Sequence, residues 1–216
     1  DALPICCTGG PYQVGHRWGV YNDVLCVGNE KTYDFVRNVL SEVISLFPSE
    51  YIHIGGDEAV KYQWQDSPQV QAYIRELGLK DEEALQSHML KRLEKYLEDH
   101  DRKLIGWDEI IEGGLSPTAT VMWWRSWAKD APAKTTQQGN SIIFTPNGQF
   151  YLDYQEDKNS VRNIYNFNPA IEGLTSEQQA LVKGVQGNIW CEWIPSRERM
   201  QYMAVPRLLA IAELGW

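Results

Sequence analysis

Apolar residues recur every three or four positions across residues 31–47, a spacing that predicts an amphipathic helix with one face against a core. The short apolar run at 51–54 then predicts a strand. Ser67 followed by Pro68 has the pattern of a helix start, and Asp81 is a cap of the same kind for a longer helix. The first half of the chain is therefore predicted to contain a helix, a strand and two further helices.

The second half of the pattern alternates short apolar runs with helical segments. Strands are predicted at 103–107, 118–124, 141–145 and 184–190, and helices at 131–138, after a cap at Ser176, and at 196–213 with a break near Pro206. Such alternation is typical of parallel strands joined by helical crossovers, and short continuous apolar strands are typical of strands buried on both faces. The predicted fold class is α/β.

The C-terminal end of each predicted strand carries polar or aromatic residues: Asp57-Glu58, Trp107-Asp108, Trp124-Arg125, Tyr151 to Asp153, and Trp190 to Glu192. Active-site residues of a (β/α)₈ barrel collect at the carboxyl ends of its strands, whereas a doubly wound sheet binds its ligand at one crevice. Chemistry at five successive strand ends favours the barrel. The sequence contains no GxGxxG or phosphate-loop motif that would favour a nucleotide site.

The hexapeptide His53-Ile54-Gly55-Gly56-Asp57-Glu58 places two adjacent carboxylates directly after a predicted strand. Glycines permit unusual backbone angles and close approach, and two neighbouring carboxyl groups push their pKa values apart. One proton donor beside one fixed anion is the arrangement that acid–base catalysis requires. The alternative is an acidic cap on a strand-to-helix turn, because Asp and Glu favour helix N-termini.

The composition excludes some partners and suggests others. A net charge of −9 and a pI near 5.0 argue against nucleic acid or an anionic membrane as the main partner. No run approaches the roughly 18 apolar residues of a membrane span. The 9 Trp and 11 Tyr residues include candidates for flat platforms against sugar rings. For Trp18, Trp64 and Trp216 we expect core packing instead.

The four cysteines, Cys6, Cys7, Cys26 and Cys191, lack the spacing of a zinc site. Cys7 and Cys26 are candidates for a loop-closing disulfide, which would suit an exported (periplasmic, extracellular or lysosomal) protein. The alternative is four buried or free thiols. The sequence leaves both open.

Seven segments together resemble the catalytic domain of glycoside hydrolase family 20, the β-N-acetylhexosaminidases. They are LFPSEYIHIGGDE (46–58), IGWDEIIEGGLSP (105–117), VMWWR (121–125), YLDY (151–154), IYNFNP (164–169), GNIWCEW (187–193) and AVPRLLAIAELGW (204–216). The resemblance implies a partial (β/α)₈ barrel with strands four to eight, spanning 1–216 as a single catalytic-domain fragment. An arginine that grips sugar hydroxyls and a histidine that supports the acid lie on earlier family strands absent from this sequence. The family's further pocket tryptophan is also absent from 154–163.

The resemblance also implies exo-acting hydrolysis of terminal β-linked N-acetylhexosamine (GlcNAc or GalNAc), with retention of configuration through an oxazolinium intermediate. The substrate's own acetamido oxygen attacks C1, which makes the family an exception to the usual pair of enzyme carboxylates. By resemblance, Glu58 is the general acid and later the base, Asp57 accepts a hydrogen bond from the acetamido N–H, and Tyr151 holds the acetamido oxygen. No metal or cofactor is implied.

The remaining site residues are also assigned by resemblance. Substrate-binding residues are Trp107 and Trp124 as walls of the acetamido pocket, Trp190 under the sugar ring, and Asp153 and Glu192 on hydroxyls at its far end. His53 is expected to support the site from behind or to sit in the core. Asp108 and Glu109 are expected to be structural.

Two other functions stay open at this point. One is a non-catalytic carbohydrate-binding fragment, because an incomplete barrel has open edges that need the earlier strands or a second copy of the chain as partner. The other is a metal-dependent hydrolase using His53, Asp57 and Glu58, a cluster that offers fewer ligands than such a site needs.

Overall fold

A computed structural model describes residues 15–155, 159–170 and 172–216. The chain divides into two compact units, Asp1–Ala119 and Thr120–Trp216, which are described separately. That 1–216 forms a single catalytic-domain fragment stays a prediction.

From residue 15 onward the first unit has four α-helices: α1 (Glu30–Leu46), α2 (Tyr62–Asp66), α3 (Pro68–Glu76) and α4 (Glu82–Glu98). A 3₁₀ helix, Asp108–Ile111, follows them. The predicted caps are confirmed, because Ser67 accepts from the Val70 N–H and Asp81 accepts from the Ala84 N–H. The short helix α2 was not predicted, since its five residues lack a periodic apolar stripe.

Two parallel strands lie against these helices, β1 (Tyr51–His53) and β2 (Lys103–Trp107), with Ile52 opposite Leu104. Both strands fall within the predicted ranges. Ile52 and Leu104 are buried, as expected for strands in a core.

Arg92 on α4 links that helix to α1. Its guanidinium forms a bidentate ion pair with Glu30, with both N···O distances 2.7 Å, and lies 3.4 Å from the ring centre of Tyr33. Burial is the main cause that raises the pKa of Tyr33 to about 12. These contacts fix the relative position of the two longest helices of this unit.

The described part of the second unit has three parallel strands, β3 (Thr120–Trp123), β4 (Ile142–Phe144) and β5 (Val182–Val185). β3 and β4 match the predictions closely. β5 starts two residues before the predicted range 184–190 and ends five residues before its end. The reason is a change of partner: Asn188 forms a bridge with Tyr151 instead of continuing beside β4.

Six described helices accompany these strands: α5 (Ala131–Gln137), α6 (Asn147–Phe150), α7 (Val161–Tyr165), α8 (Ser176–Gln179), α9 (Arg197–Ala204) and α10 (Arg207–Gly215). The predicted break at Pro206 is confirmed. The predicted cap at Ser176 is wrong by one residue: Thr175 is the N-cap, and it forms a reciprocal capping box with Gln178. α6 and α7 were not predicted, because each is at most five residues long.

The core of the second unit comprises Phe150, Leu152, Ile164, Ala210 and Ile211. α7 and α10 therefore pack against the segment that leads into Tyr151. The expectation that three tryptophans are buried holds for Trp64 only, since Trp18 is 73% exposed and Trp216 is fully exposed. Both exposed residues lie outside regular elements, where no described layer covers them.

Cys26 is disulfide-bonded, whereas Cys191 is a free, exposed thiol. The expectation of four reduced thiols is therefore wrong for Cys26. Cys6 and Cys7 lie outside the described residues. Among the described residues, we find no helix with both the length and the apolar character needed to cross a membrane.

Candidate active site

The turn after β1 has three residues with positive φ angles. Gly55 and Gly56 have φ angles of 75° and 94°, and Glu58 has a φ of 49°. A positive φ is costly for a residue with a side chain, and such strain clusters at functional sites. The turn therefore explains why two glycines precede the carboxylates, and it directs Glu58 into an uncommon conformation.

Neighbouring backbone and one buried side chain fix this turn. The Trp107 N–H donates to the Gly55 carbonyl at 2.9 Å, and Gln86 Nε2 donates to the Gly56 carbonyl at 2.7 Å. A Cβ on Gly56 would lie 2.7 Å from Ile110 Cγ2, which is closer than real contacts allow. Sequence reasoning missed Gln86, because it is one of several polar residues on α4 and its burial is visible only in the structure.

Both carboxyl groups of the turn have perturbed acidity. Burial, with a smaller contribution from the charge of Asp108, raises the pKa of Asp57. Burial, together with the charge of Asp57, raises the pKa of Glu58. Asp108 is fully buried, so it has an electrostatic effect that the sequence did not reveal. The pair can thus hold one proton at a higher pH than isolated carboxyls would.

His53 lies at the end of β1 and contacts Trp107. Their ring centres are 4.8 Å apart in an edge-to-face arrangement, and the Gly55 N–H donates to His53 Nδ1 at 3.1 Å. Partial desolvation of the imidazole lowers the pKa of His53. The residue as a whole is exposed, so the core alternative is wrong. His53 contacts both the glycine turn and the indole of Trp107.

A cavity of about 440 Å³ adjoins the turn in the first unit. Its walls are mainly apolar and include Leu25, Trp64 and Met89, with Asp57 and Glu58 at one side. This apolar surrounding accounts for the loss of hydration that raises the pKa of both carboxyl groups. Among the described residues, no cluster of three or more His, Cys, Asp or Glu is placed to hold a metal ion.

In the second unit, three aromatic rings contact that of Tyr151. Its ring centre lies 6.2 Å from that of Trp124 in a stacked arrangement, 5.8 Å from that of Trp190 and 5.7 Å from that of Tyr154. Trp127 extends the cluster, with its ring edge-to-face on Trp124 at 5.2 Å. Tyr151 is buried, whereas Trp190 is 40% exposed. Trp190 therefore offers a surface to a ligand, and Tyr151 is held behind it.

Backbone hydrogen bonds from Asn188 bracket Tyr151. The Asn188 N–H donates to the Phe150 carbonyl at 2.8 Å, and the Leu152 N–H donates to the Asn188 carbonyl at 2.7 Å. Asn159 Nδ2 donates to the carbonyl of Tyr151 itself at 2.8 Å. The backbone of Tyr151 is thus fixed from both sides.

Asp153 is a buried carboxylate with an unused acceptor. It is 7% exposed and accepts from the Trp190 backbone N–H, while its Oδ1 has no hydrogen-bond partner among the described residues. Burial is the largest cause that raises the pKa of Asp153, and the charge of Glu192 adds to it. A buried polar atom without a partner is costly, and such atoms are rare outside functional sites. A ligand hydroxyl would satisfy Oδ1.

Glu192 lies in the one-turn 3₁₀ helix Cys191–Trp193 and is exposed. The structure therefore brings together the predicted site residues of each unit. These are His53, Asp57, Glu58 and Trp107 in the first, and Trp124, Tyr151, Asp153, Trp190 and Glu192 in the second. Their catalytic and binding roles stay predictions.

Parallel strands joined by helices, with carboxylates and aromatic rings near the strand ends, are the pattern of a partial (β/α)₈ barrel. The family model of the glycosyl hydrolase family 20 catalytic domain matches residues 5–216. The chain belongs to this family.

Individual relatives agree with this assignment. The chain is 42% identical to a β-hexosaminidase of Porphyromonas gingivalis over 98% of this chain and 29% of that protein. It resembles the structure of Flavobacterium johnsoniae chitobiase with a TM-score of 0.88 and 28% identity, over 98% of this chain and 32% of that one. The structure of an exo-β-N-acetylglucosaminidase from Vibrio harveyi, solved with N-acetylglucosamine, matches with a TM-score of 0.80 and 31% identity. This match covers 90% of this chain and 32% of that one. The chain spans about a third of the length of these relatives.

Proposed function

We propose that the protein carrying this chain is an exo-acting β-N-acetylhexosaminidase that removes terminal β-linked N-acetylhexosamine with retention of configuration. The observation that carries the proposal is the strained Gly-Gly-Asp-Glu turn, where Asp57 and Glu58 are adjacent and both have raised pKa values. The names of the relatives, β-hexosaminidase and exo-β-N-acetylglucosaminidase, support it.

In the first step, Glu58 donates its proton to the glycosidic oxygen while the substrate's acetamido oxygen attacks C1. The C1–O bond breaks, the leaving alcohol departs with that proton, and an oxazolinium ion remains. In the second step, Glu58 accepts a proton from water, the water oxygen bonds to C1, and the acetamido C–O bond at C1 breaks. The raised pKa of Glu58 favours its protonated form, which the first step requires.

Asp57, when ionised, accepts a hydrogen bond from the acetamido N–H and stabilises the positive charge that develops there. The Tyr151 hydroxyl donates a hydrogen bond to the acetamido oxygen. This bond holds the acetamido oxygen toward C1, an effect of positioning. Trp107 and Trp124 enclose the acetamido methyl group. The fixed backbone of Tyr151 supports this assignment.

Trp190 stacks under the sugar ring, and Asp153 and Glu192 accept hydrogen bonds from hydroxyls at the far end of the sugar. The unpartnered Asp153 Oδ1 supports this role. Binding of that end selects a terminal residue. The disulfide at Cys26 supports export to an oxidising compartment.

The test is hydrolysis by the complete protein of an aryl 2-acetamido-2-deoxy-β-glucoside beside the same aryl β-glucoside without the acetamido group. We expect cleavage of the first only, because only its acetamido group can attack C1. Equal cleavage of both would exclude substrate assistance, and cleavage of neither would exclude the proposed activity.

A second candidate function is carbohydrate binding without turnover. The exposed face of Trp190 and the free Oδ1 of Asp153 favour it, because these features need no acid catalyst. Quenching of tryptophan fluorescence by N-acetylglucosamine, with no hydrolysis of the aryl substrate, would select this function. In that case the fold would be completed either by strands outside this sequence or by a second copy of the chain. Sedimentation distinguishes the two, because only the second case gives a dimer of this chain.

A further inference from the structure

Arg207, the first residue of α10, is a buried arginine that binds peptide carbonyls. It is 3% exposed. Its Nη1 donates to the carbonyls of Tyr154 at 2.8 Å and Asn159 at 3.2 Å, and its Nη2 donates to the Leu152 carbonyl at 2.5 Å. Nε donates to the Met203 carbonyl at 2.9 Å, and Nη2 also reaches that carbonyl. One guanidinium thus joins four carbonyl groups.

Three of these four carbonyls belong to the segment that carries two proposed site residues. Leu152 and Tyr154 are the neighbours of Asp153, so Arg207 holds a carbonyl group of the residue on each side of that carboxylate. Asn159, the third, in turn donates its side-chain amide to the Tyr151 carbonyl. The guanidinium therefore fixes, directly or through one intermediate, the backbone at both Tyr151 and Asp153.

The choice of arginine is informative because burying a charge is expensive. A buried cation needs several well-placed acceptors, and an apolar side chain of similar volume commonly serves stability as well or better. Arginine offers five donors in a rigid planar fork, whereas lysine is a point charge on a flexible stem. Only the fork can hold carbonyls in different directions at once. The arrangement therefore provides a fixed geometry for the loop.

We propose that Arg207 is a positioning residue for substrate binding: by holding the backbone at Leu152, Tyr154 and Asn159 it directs the Asp153 carboxylate toward a hydroxyl of the bound sugar. Arg207 itself does not touch the sugar. The proposal rests on the proposed function, in which Asp153 binds a hydroxyl at the far end of the sugar.

The experiment compares the aryl N-acetylglucosaminide with its 4-deoxy and 6-deoxy analogues in the complete protein. Removing the hydroxyl that Asp153 binds should lower kcat/KM at least about tenfold in the wild type, as expected for a hydrogen bond to a charged group. In Arg207→Lys we expect this preference to fall at least about fivefold. A ratio of two substrates does not depend on the fraction of folded enzyme. Arg162→Lys, the same change at an exposed arginine of α7, should leave the ratio unchanged.

A double-variant cycle adds a second readout. Asp153→Asn should lose the same preference, and Arg207→Lys added to it should lower the ratio no further, because both act on one contact. If Arg207→Lys does not fold, Asn159→Ala removes one hydrogen bond of the same network and should lower the ratio in the same direction by a smaller factor.

An equal loss of kcat/KM for parent and deoxy substrates, or additive effects in the cycle, would show that Arg207 is only structural and overturn the proposal. Failure of the proposed function looks different, since the wild type would then not cleave the parent substrate at all. In that case the ratios are measured as dissociation constants of N-acetylglucosamine and its deoxy analogues. A smaller ratio in Arg207→Lys than in the wild type supports the proposal, and an equal ratio overturns it.

Discussion

The indole of Trp124 lies almost parallel to the phenol ring of Tyr151, with an interplanar angle of 15° and ring centres 6.2 Å apart. Trp124 follows β3 and Tyr151 follows α6, so two separate elements present these rings to each other. Since aromatic pairs prefer offset stacking or edge-to-face contact, the arrangement stabilises one orientation of Tyr151. In the proposed reaction that orientation determines where the tyrosine hydroxyl meets the acetamido oxygen.

The first prediction concerns the size of the acetamido pocket. Trp124→Ala should lower kcat/KM for the N-acetyl substrate by about tenfold or more, because it removes a wall and the stacking on Tyr151. The loss should be smaller for an N-propanoyl analogue, whose extra methylene fills part of the space. Steady-state kinetics on both substrates measure this. Trp127→Ala, at the exposed end of the same aromatic cluster, is the control, and an equal loss in both variants would contradict a specific wall.

The second prediction is that Glu58→Gln loses about 100-fold or more in kcat/KM on substrates with poor leaving groups, because glutamine cannot donate a proton. Aryl substrates with good leaving groups should lose less. The wild-type rate should fall as the pH rises through the raised pKa of Glu58, since the protonated form is the active one. A pH profile of kcat/KM measures both. An unchanged alkaline limb in the variant would rule out Glu58 as its origin.

A third prediction uses the electrostatic link between the two carboxyls. Burial and the charge of Asp57 both raise the pKa of Glu58, so Asp57→Ala removes the second cause only. We expect turnover to fall strongly and the alkaline limb of the remaining activity to move to lower pH. The acid limb, which reflects ionisation of Asp57 in the wild type, should disappear. Asp57→Glu serves as control because it keeps the charge, and its alkaline limb should remain high.

Much of the fold could be predicted because local patterns and burial agree. The helices that begin at Ser67 and Asp81 have a cap and a periodic stripe, and both form where predicted. The fifth strand was placed two residues late at its start and extended too far, because its end depends on a bridge between Asn188 and Tyr151 that no local pattern encodes. The cap at Thr175 was missed by one residue, since Thr175 and Ser176 cap equally well by type.

Site residues that belong to a sequence motif could be predicted, whereas residues that act through long-range contacts could not. Asp57 and Glu58 follow two glycines, a signal in the sequence itself. Gln86, Asp108 and Arg207 support the site through burial and long-range hydrogen bonds or charge, and a residue type alone does not reveal that. The one available signal was Arg207 itself, a cation within the otherwise apolar run at 204–212.

The fourth prediction compares two neighbouring glycines. Both Gly55 and Gly56 have positive φ, so alanine at either should cost about 1–2 kcal/mol in backbone strain. At Gly56 the new Cβ would also lie 2.7 Å from Ile110 Cγ2, whereas at Gly55 nothing is closer than 3.5 Å. Gly56→Ala should therefore cost a further ~1–3 kcal/mol. Urea unfolding measures the difference. Equal losses of unfolding free energy in the two variants would show that the side chain of Ile110 moves away from the new Cβ at no cost. If Gly56→Ala is the less stable variant, adding Ile110→Ala to it should recover part of the additional loss.

The last prediction concerns a conflict between stability and binding at Asp153. Its folded pKa is raised mainly by burial, so the ionised form is disfavoured in the folded protein. The protonated form is the stable one, and its contribution is fully present below the unfolded pKa of about 3.9 and lost as the pH rises through the raised folded value. Asp153→Asn removes the buried charge and should stabilise the protein by on the order of 1 kcal/mol at pH 7. The gain should shrink toward pH 4.

The same variant should lose its preference for the sugar hydroxyl, so a gain in melting temperature accompanies a loss of kcat/KM. Asp130→Asn is the matched control with the opposite sign, because a hydrogen bond to Lys134, 2.7 Å away, lowers the pKa of Asp130. It should destabilise slightly at pH 7, and this effect should vanish as the pH falls through the lowered pKa of Asp130. Thermal unfolding of both variants at pH 4 and pH 7 separates the two cases. If Asp153→Asn proves less stable than the wild type at pH 7, then the carboxylate stabilises the loop. The prediction that its Oδ1, which has no hydrogen-bond partner among the described residues, is available to a sugar hydroxyl would then be contradicted.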